Sequence, residues 1–370
     1  MTHFLDTLSA SVELTSQERD VLIQTGVTSH EDLHSLTVAF PESLKRAGVR
    51  VQLLSSISTH HVEPSYATQI AVSDVTPLPP FGATPPSDPW WDVNSQVAAE
   101  SATTIDEALT LRRSQPIDLR KGIDWPVRNQ AYRGTCVAFA VTAAVERLQS
   151  GPQATPRDLS EQFLYWGMKE KGADWGRNSD GSSIGLACYA LADYGICGER
   201  DWPYNPEFIP GHVGQPGNGN PSYTALAQGK RNRMTGSPKS FYGLTGSAAM
   251  ALAMLQIGRP VAIALPTFSD SASSMYSSWS TPVARAYGRI LNPPPTARRS
   301  GPGHAVCIVG FQPDPYEPLG GYFIFRNSWG TGWASRAPAT GHSYAPAPGY
   351  GDVSATFVDK YNWQMLAFES

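Results

Sequence analysis

Proline stands at Pro64, Pro77, Pro79, Pro80, Pro85, Pro86 and Pro89, and these interruptions constrain the fold more than any other feature of the chain. Each one removes a backbone donor and fixes φ, so no helix interior or central strand passes through this stretch. An extended, semi-stiff spacer is expected instead. The 370 residues therefore divide into a short piece over 1–62, a Pro-rich linker over 63–116 and a long globular piece over 117–370. Trp90–Trp91 is odd for a free spacer, because two exposed indoles leave much apolar area in water. They are expected to dock on the globular piece, with a short helix over 105–113 after them.

The first piece reads as short helices. Thr15 or Ser16 can cap one that runs to Gln24 and stops at Gly26. Ser29, with Glu31 and Asp32 behind it, starts a second; Pro41 suits the first position of a third, which Gly48 ends. The pattern helix, Gly-Val, helix occurs around Gly26–Val27 and again around Gly48–Val49, and it resembles a helix-hairpin-helix or SAM-like bundle. A structural module, or one that holds a protein partner, is expected here.

Charge and composition exclude several functions. The formal charge is −4 and the basic residues are scattered, so no nucleic-acid partner is expected. Arg298–Arg299 and Lys230–Arg231–Arg233 read as solvated loop charges. No run approaches the ~18 apolar residues that span a bilayer. Residues 1–14 lack a basic n-region and carry Asp6 and Glu13, so no cleavable secretory signal is expected. Cys136, Cys188, Cys197 and Cys307 are too few for a disulfide framework. A cytoplasmic location, or export without a cleavable signal, follows. His60–His61 and His342 have no ligand-spaced partner, and Gly211–Gly219 lacks a phosphate-binding lysine; neither a metal nor a cofactor is expected.

The long piece carries helices first and strands later, which suggests α+β with two facing lobes. Helical spacing runs over 135–148, Ser160 can cap a second helix to Met168, and a third spans 185–194 before Gly195. Strands are expected at 261–265, 305–310 and 322–326. Cys136 opens the first of these helices just after Gly134. Unpaired N–H groups and the helix dipole there favour a thiolate, although a small core cysteine in an Ala-rich helix would look the same. His304 leads an apolar strand and can face a cleft or simply edge the core. Asn327, in Asn327-Ser328-Trp329-Gly330, follows another strand and can orient a partner or cap a turn.

Gln130, Cys136 at the start of its helix, Gly303-His304-Ala305 and Asn327-Ser328-Trp329-Gly330, in that order, resemble the papain family of cysteine peptidases over residues 117–370. Leu159-Ser160-Glu161-Gln162 and Trp202-Pro203-Tyr204 extend the likeness. The resemblance implies a papain-like two-lobed α+β fold, a helical lobe facing an antiparallel sheet or barrel, preceded by the small helical domain. It implies peptide-bond hydrolysis without cofactor: a Cys136 thiolate paired with His304, Asn327 orienting the ring beneath Trp329, and Gln130 with the Cys136 N–H holding the oxyanion. Gly181, Ser182, Ser183, Ile184 and Gly303 would line the substrate cleft.

This sequence departs from the family pattern at Arg133, where the family carries a disulfide cysteine, at Val137, at Ser182 and in stretched spacings. Insertions over 205–240 and 266–301 are expected, the second reaching the cleft beside His304. The segment Pro77–Trp91 is expected to lie across the cleft. The same triad would also serve an amidase, deamidase or isopeptidase acting on one partner protein, as in a bacterial effector or toxin. A non-catalytic binding scaffold has no reason to keep Gln130, Cys136, His304 and Asn327 together.

Overall fold

Side chains that satisfy unpaired backbone groups set the ends of the first helices. The computed structural model describes residues 4–61, 81–84, 115–150, 157–172, 180–207, 219–234, 237–240, 246–271, 274–336, 344–345 and 347–368. Trp90–Trp91, the helix expected over 105–113, most of the linker and His342 lie outside the described residues. Helix α1 (Phe4–Ser11) is followed by α2 (Ser16–Thr25), which opens on a reciprocal capping box. There the Glu18 N–H donates to the Thr15 hydroxyl at 3.2 Å and the Thr15 N–H to the Glu18 carboxylate at 3.0 Å. Gly26 ends α2 at φ 72°, a left-handed conformation that costs least in glycine. Helix α3 (His30–Ala39) starts on Ser29, whose hydroxyl accepts from the Asp32 N–H, and α4 (Pro41–Arg46) and α5 (Val51–His61) follow.

In the long piece β1 (Ile117–Asp118) precedes α6 (Cys136–Gln149), α7 (Glu161–Gly172) and α8 (Ile184–Asp193), which form the helical lobe. Helix α7 runs a turn past Met168 because Lys169 folds inward: its ammonium donates to the Gly181 carbonyl at 2.7 Å and lies near the Tyr165 ring. Helix α9 (Tyr223–Arg231), β2 (Ser237–Ser240) and α10 (Ser247–Gln256) lead into the sheet lobe. That lobe holds β3 (Val261–Leu265), β4 (Phe268–Ser269), α11 (Pro282–Tyr287), β5 (Arg289–Ile290), β6 (Arg298–Arg299), β7 (His304–Pro313), β8 (Gly321–Arg326), β9 (Tyr350–Ser354), α12 (Ala355–Tyr361) and β10 (Gln364–Ala367). The sheet order is β2-β10-β3-β7-β8-β9-β5, with β1 also on β7; β4 and β6 form a separate ribbon. All the pairs are antiparallel except β5 with β9.

Strand alternation sorts the two faces of this sheet by size. Val261, Ile263, Leu265, Val306 and Ile308 belong to one buried cluster, whereas Ala262, Ala264, Ala305, Cys307 and Val309 join the α6 side chains in another. Small residues on the second face let α6 approach closely, which brings Cys136 up to the strand that begins at His304.

The N-terminal helices pack on the opposite side. Leu22, Leu33, Leu36, Phe40 and Leu44 share their cluster with Trp279, Val283, Ile290 and Val353. Polar bolts fix this packing. Asp270 accepts from the N–H groups of Glu42 and Ser43 at the start of α4, at 2.8 and 2.5 Å. Ser35 accepts from the Val283 N–H at 2.9 Å. Arg289, fully buried, pairs with Asp32 at 3.4 Å and with Asp352 at 3.5 Å. The described residues between 266 and 301 are thus held between the N-terminal helices and the strand of His304.

Candidate active site

Cys136 is the first residue of α6. Its N-cap, Thr135, makes no side-chain cap bond, and its hydroxyl instead meets the Tyr204 hydroxyl at 2.7 Å. Burial raises the Cys136 thiol above its ordinary pKa. The backbone N–H groups of Ala305, Gly82, Ala83 and Val137 pull the other way without cancelling it. The Ala305 N–H at the sulfur places Cys136 beside the start of β7.

His304 pairs in register with Leu265 and is fully buried. Its Nε2 lies 2.8 Å from Asn327 Oδ1, which also accepts from the Ser328 N–H at 2.8 Å. An oxygen that accepts the Ser328 N–H has no proton to offer, so Nε2 donates to it. The neutral ring is thereby left with a bare lone pair on Nδ1. Nδ1 has no hydrogen-bond partner among the described residues. Trp329 stacks on the ring at 4.4 Å, Trp279 meets it edge-on at 4.8 Å and Phe81 at 5.9 Å. This enclosure lowers the imidazole pKa from 6.5 to about 4, burial outweighing the Asn327 bond.

Gln130 is buried between two loops. Its Nε2 donates to the Arg133 carbonyl at 2.5 Å, its Oε1 accepts from the Ser328 hydroxyl at 2.6 Å, and its N–H donates to the Ser328 carbonyl at 2.8 Å. Gly330 closes the same junction at φ 67°, donating to the Arg128 carbonyl. The four residues Gln130, Cys136, His304 and Asn327 are thus brought together from three separate stretches of chain.

The proposed cleft walls also face one another, and residues 81–84 lie between them. Ala83 exchanges bonds with Gly303, N–H to carbonyl at 3.0 Å and carbonyl to N–H at 2.8 Å. The Ser182 N–H donates to the Gly82 carbonyl and the Thr84 N–H to the Ser182 carbonyl, each at 2.8 Å. Gly82 sits flat against Gly134: a Cβ there would lie 1.6 Å from the Gly134 carbonyl oxygen. Ile184 is buried behind Ser183, which caps α8 without a side-chain bond.

Sequence reasoning missed Trp279, hidden in a serine-rich stretch, and the Ser328 hydroxyl, whose target lies far away in the chain. It flagged Arg133 without its partner: the guanidinium grips Asp180 through two nitrogens, at 3.1 and 3.0 Å. Among the described residues no cluster of three or more His, Cys, Asp or Glu side chains could hold a metal ion. No described helix is long and apolar enough to cross a membrane.

The sequence model of the papain family cysteine protease matches residues 114–337. Cysteine proteinase 2 of Entamoeba histolytica is 26% identical over 241 residues, covering 62% of this chain and 63% of that protein. Cathepsin L1 of Drosophila melanogaster is 26% identical over 234 residues, covering 60% and 53% respectively. The chain thus spans between about half and two thirds of the length of these relatives. Among solved structures, xylellain, a cysteine protease from Xylella fastidiosa, shares the fold with a TM-score of 0.52 at 21% identity, over 78% of this chain and 91% of that one.

Proposed function

Because the chain belongs to the papain family of cysteine proteases, we propose that it hydrolyses internal peptide bonds of protein or peptide substrates with Cys136 as nucleophile, His304 as base and acid, and Asn327 fixing the imidazole. The observation that carries this reading is the Nε2–Oδ1 bond beneath Trp329, made by a histidine whose bare Nδ1 sits on the strand that touches the Cys136 sulfur.

The chemistry follows from that tautomer. Nδ1 takes the thiol proton, and the thiolate, at a helix N-terminus, attacks the substrate carbonyl carbon. The oxyanion is held by the Cys136 N–H and the Gln130 amide, and loss of one such donor typically costs ~3 kcal/mol of barrier. The imidazolium then protonates the leaving amine, and water, deprotonated by Nδ1, releases the acyl group. The main chain of Ser182 and Gly303 holds the substrate backbone, with Gly181, Ser183 and Ile184 along one wall.

In the form described, the cleft is closed. Residues 81–84 pack beside the sulfur, with the carbonyls of Gly82 and Ala83 held by Ser182 and Gly303 and the Ala83 N–H donating to the Gly303 carbonyl. Pinned on both walls, the segment occupies the place a substrate would take, and it acts as an inhibitor. Burial also keeps thiol and imidazole neutral here, so the charged pair implied by the family likeness forms only once the segment leaves. The test is intact mass after incubation with an irreversible epoxide inhibitor of papain-type enzymes. One adduct, absent from Cys136→Ala, is expected; a cleft shown to be open that gains none would refute the assignment.

A further inference from the structure

Arg133 lies three residues before Cys136 with its side chain wholly buried and every nitrogen engaged. Nε and Nη2 donate to the two Asp180 oxygens, and Nη1 donates to Gln162 Oε1 at 3.2 Å and to the Asn205 carbonyl at 2.7 Å. The Tyr165 ring covers the guanidinium at 4.8 Å, and its hydroxyl donates to Asp180 at 2.6 Å. Burial opposes the charge on Arg133, but Asp180 outweighs it and keeps the guanidinium cationic.

The two ends of this pair reach the two working backbones of the site. Arg133 exchanges main-chain contacts with Gln130: its carbonyl receives the Gln130 amide at 2.5 Å and its N–H donates to the Gln130 carbonyl at 3.3 Å. Asp180 directly precedes Gly181 and Ser182, whose main chain binds the segment in the cleft, and the Gly181 carbonyl is braced from behind by Lys169. No disulfide ties these loops, since all four cysteines are free. Buried ion pairs often add little net stability over apolar packing. What a planar, bidentate pair does supply is a fixed distance and angle between the elements it joins.

We propose that Arg133 is a positioning residue for peptide hydrolysis: clamped on Asp180, it holds the Gln130 amide in register with the substrate-binding main chain of Ser182. This rests on the catalytic reading above. Lysine cannot reproduce the two-point grip, so Arg133→Lys should let the Gln130 amide drift from the oxyanion while leaving the thiol untouched.

The test compares Arg133→Lys, Asp180→Asn and Tyr165→Phe in the full chain carrying Gly82→Leu, which frees the cleft. Three quantities are read: kcat and KM on a small peptide amide, the rate of Cys136 alkylation by iodoacetamide, and Tm. Alkylation forms a bond from sulfur to a saturated carbon as iodide leaves, and so needs no oxyanion donor. The expected result is a kcat roughly tenfold to 100-fold lower for Arg133→Lys, a smaller loss for Asp180→Asn and the least for Tyr165→Phe, with KM and alkylation each within about twofold of the parent. The grading lets the milder variants decide if Arg133→Lys fails to fold. Parent-like kcat in the folded variants, or kcat and alkylation falling together, would overturn the proposal. A Gly82→Leu parent that is alkylated at Cys136 yet hydrolyses no peptide would sink the catalytic reading, and this proposal with it.

Discussion

Replacing Gly82 with leucine is expected to expel residues 81–84 from the cleft. The added Cβ would stand 1.6 Å from the Gly134 carbonyl oxygen and 2.2 Å from its carbon, both backbone atoms that cannot swing aside. Withdrawal forfeits the four hydrogen bonds of the segment to Ser182 and Gly303. At a net 0.5–1.5 kcal/mol each, these hold the cleft shut by about 2–6 kcal/mol. That corresponds to a roughly 30-fold to 10⁴-fold rise in the open fraction. The assay is the second-order rate of iodoacetamide labelling followed by intact mass. An opened chain gains one label, at Cys136. An unfolded one gains four, because Cys188, Cys197 and Cys307 are buried and free as well. Single labelling faster by 30-fold or more is expected; equal rates in parent and variant would refute the reasoning that this segment governs access.

Glu199 is raised from 4.5 to about 7, first by burial and then by Asp158, against the Tyr204 N–H. Its contribution to stability is fully present below pH 4.5 and lost as pH rises through 7, about 1 kcal/mol after discounting for partial exposure. Glu199→Gln, which keeps an acceptor for Tyr204, should raise Tm at pH 8 and leave it unchanged at pH 4. Asp32→Ala leaves buried Arg289 with Asp352 as its remaining carboxylate partner and should cost about 3 kcal/mol in denaturant unfolding, whereas a loss below 1 kcal/mol would mean that the N-terminal helices are not bolted through that pair.

Much of this architecture was legible because local chemistry states it. Thr15 with Glu18, Ser29, Pro41 and Gly26 mark helix ends through bonds made within a few residues, and the helices begin and end there. The strand 261–265 carries an unbroken apolar run and forms as read. The ordered motifs around Gln130, Cys136, His304 and Asn327 pointed to one site because each motif has a local signature. What was not legible depends on partners distant in the chain. Arg289 reads as one more basic residue until Asp32 and Asp352 close on it, and Asp270 reads as a loop acid until it caps α4. The course of the chain through the cleft was equally hidden: nothing in Phe81-Gly82-Ala83-Thr84 says which way it runs. Only its pairing, parallel to Ser182 and antiparallel to Gly303, sets that direction.

The segment proposed to inhibit is also a span with both ends moored. Upstream the chain is anchored through α5 and the helices bolted to Asp270 and Arg289; downstream it is anchored where β1 joins β7. Release of Ala83 therefore leaves the segment tethered to the chain, not free in bulk solution, and recapture is a unimolecular event. A free peptide of the same sequence must compete with that local copy and will bind poorly to the intact chain. A single cut on either side turns the span into a dangling end without removing it. With Gly82 in place, lasting exposure of the cleft thus requires severing both moorings, or a substrate concentrated enough to outrun the return.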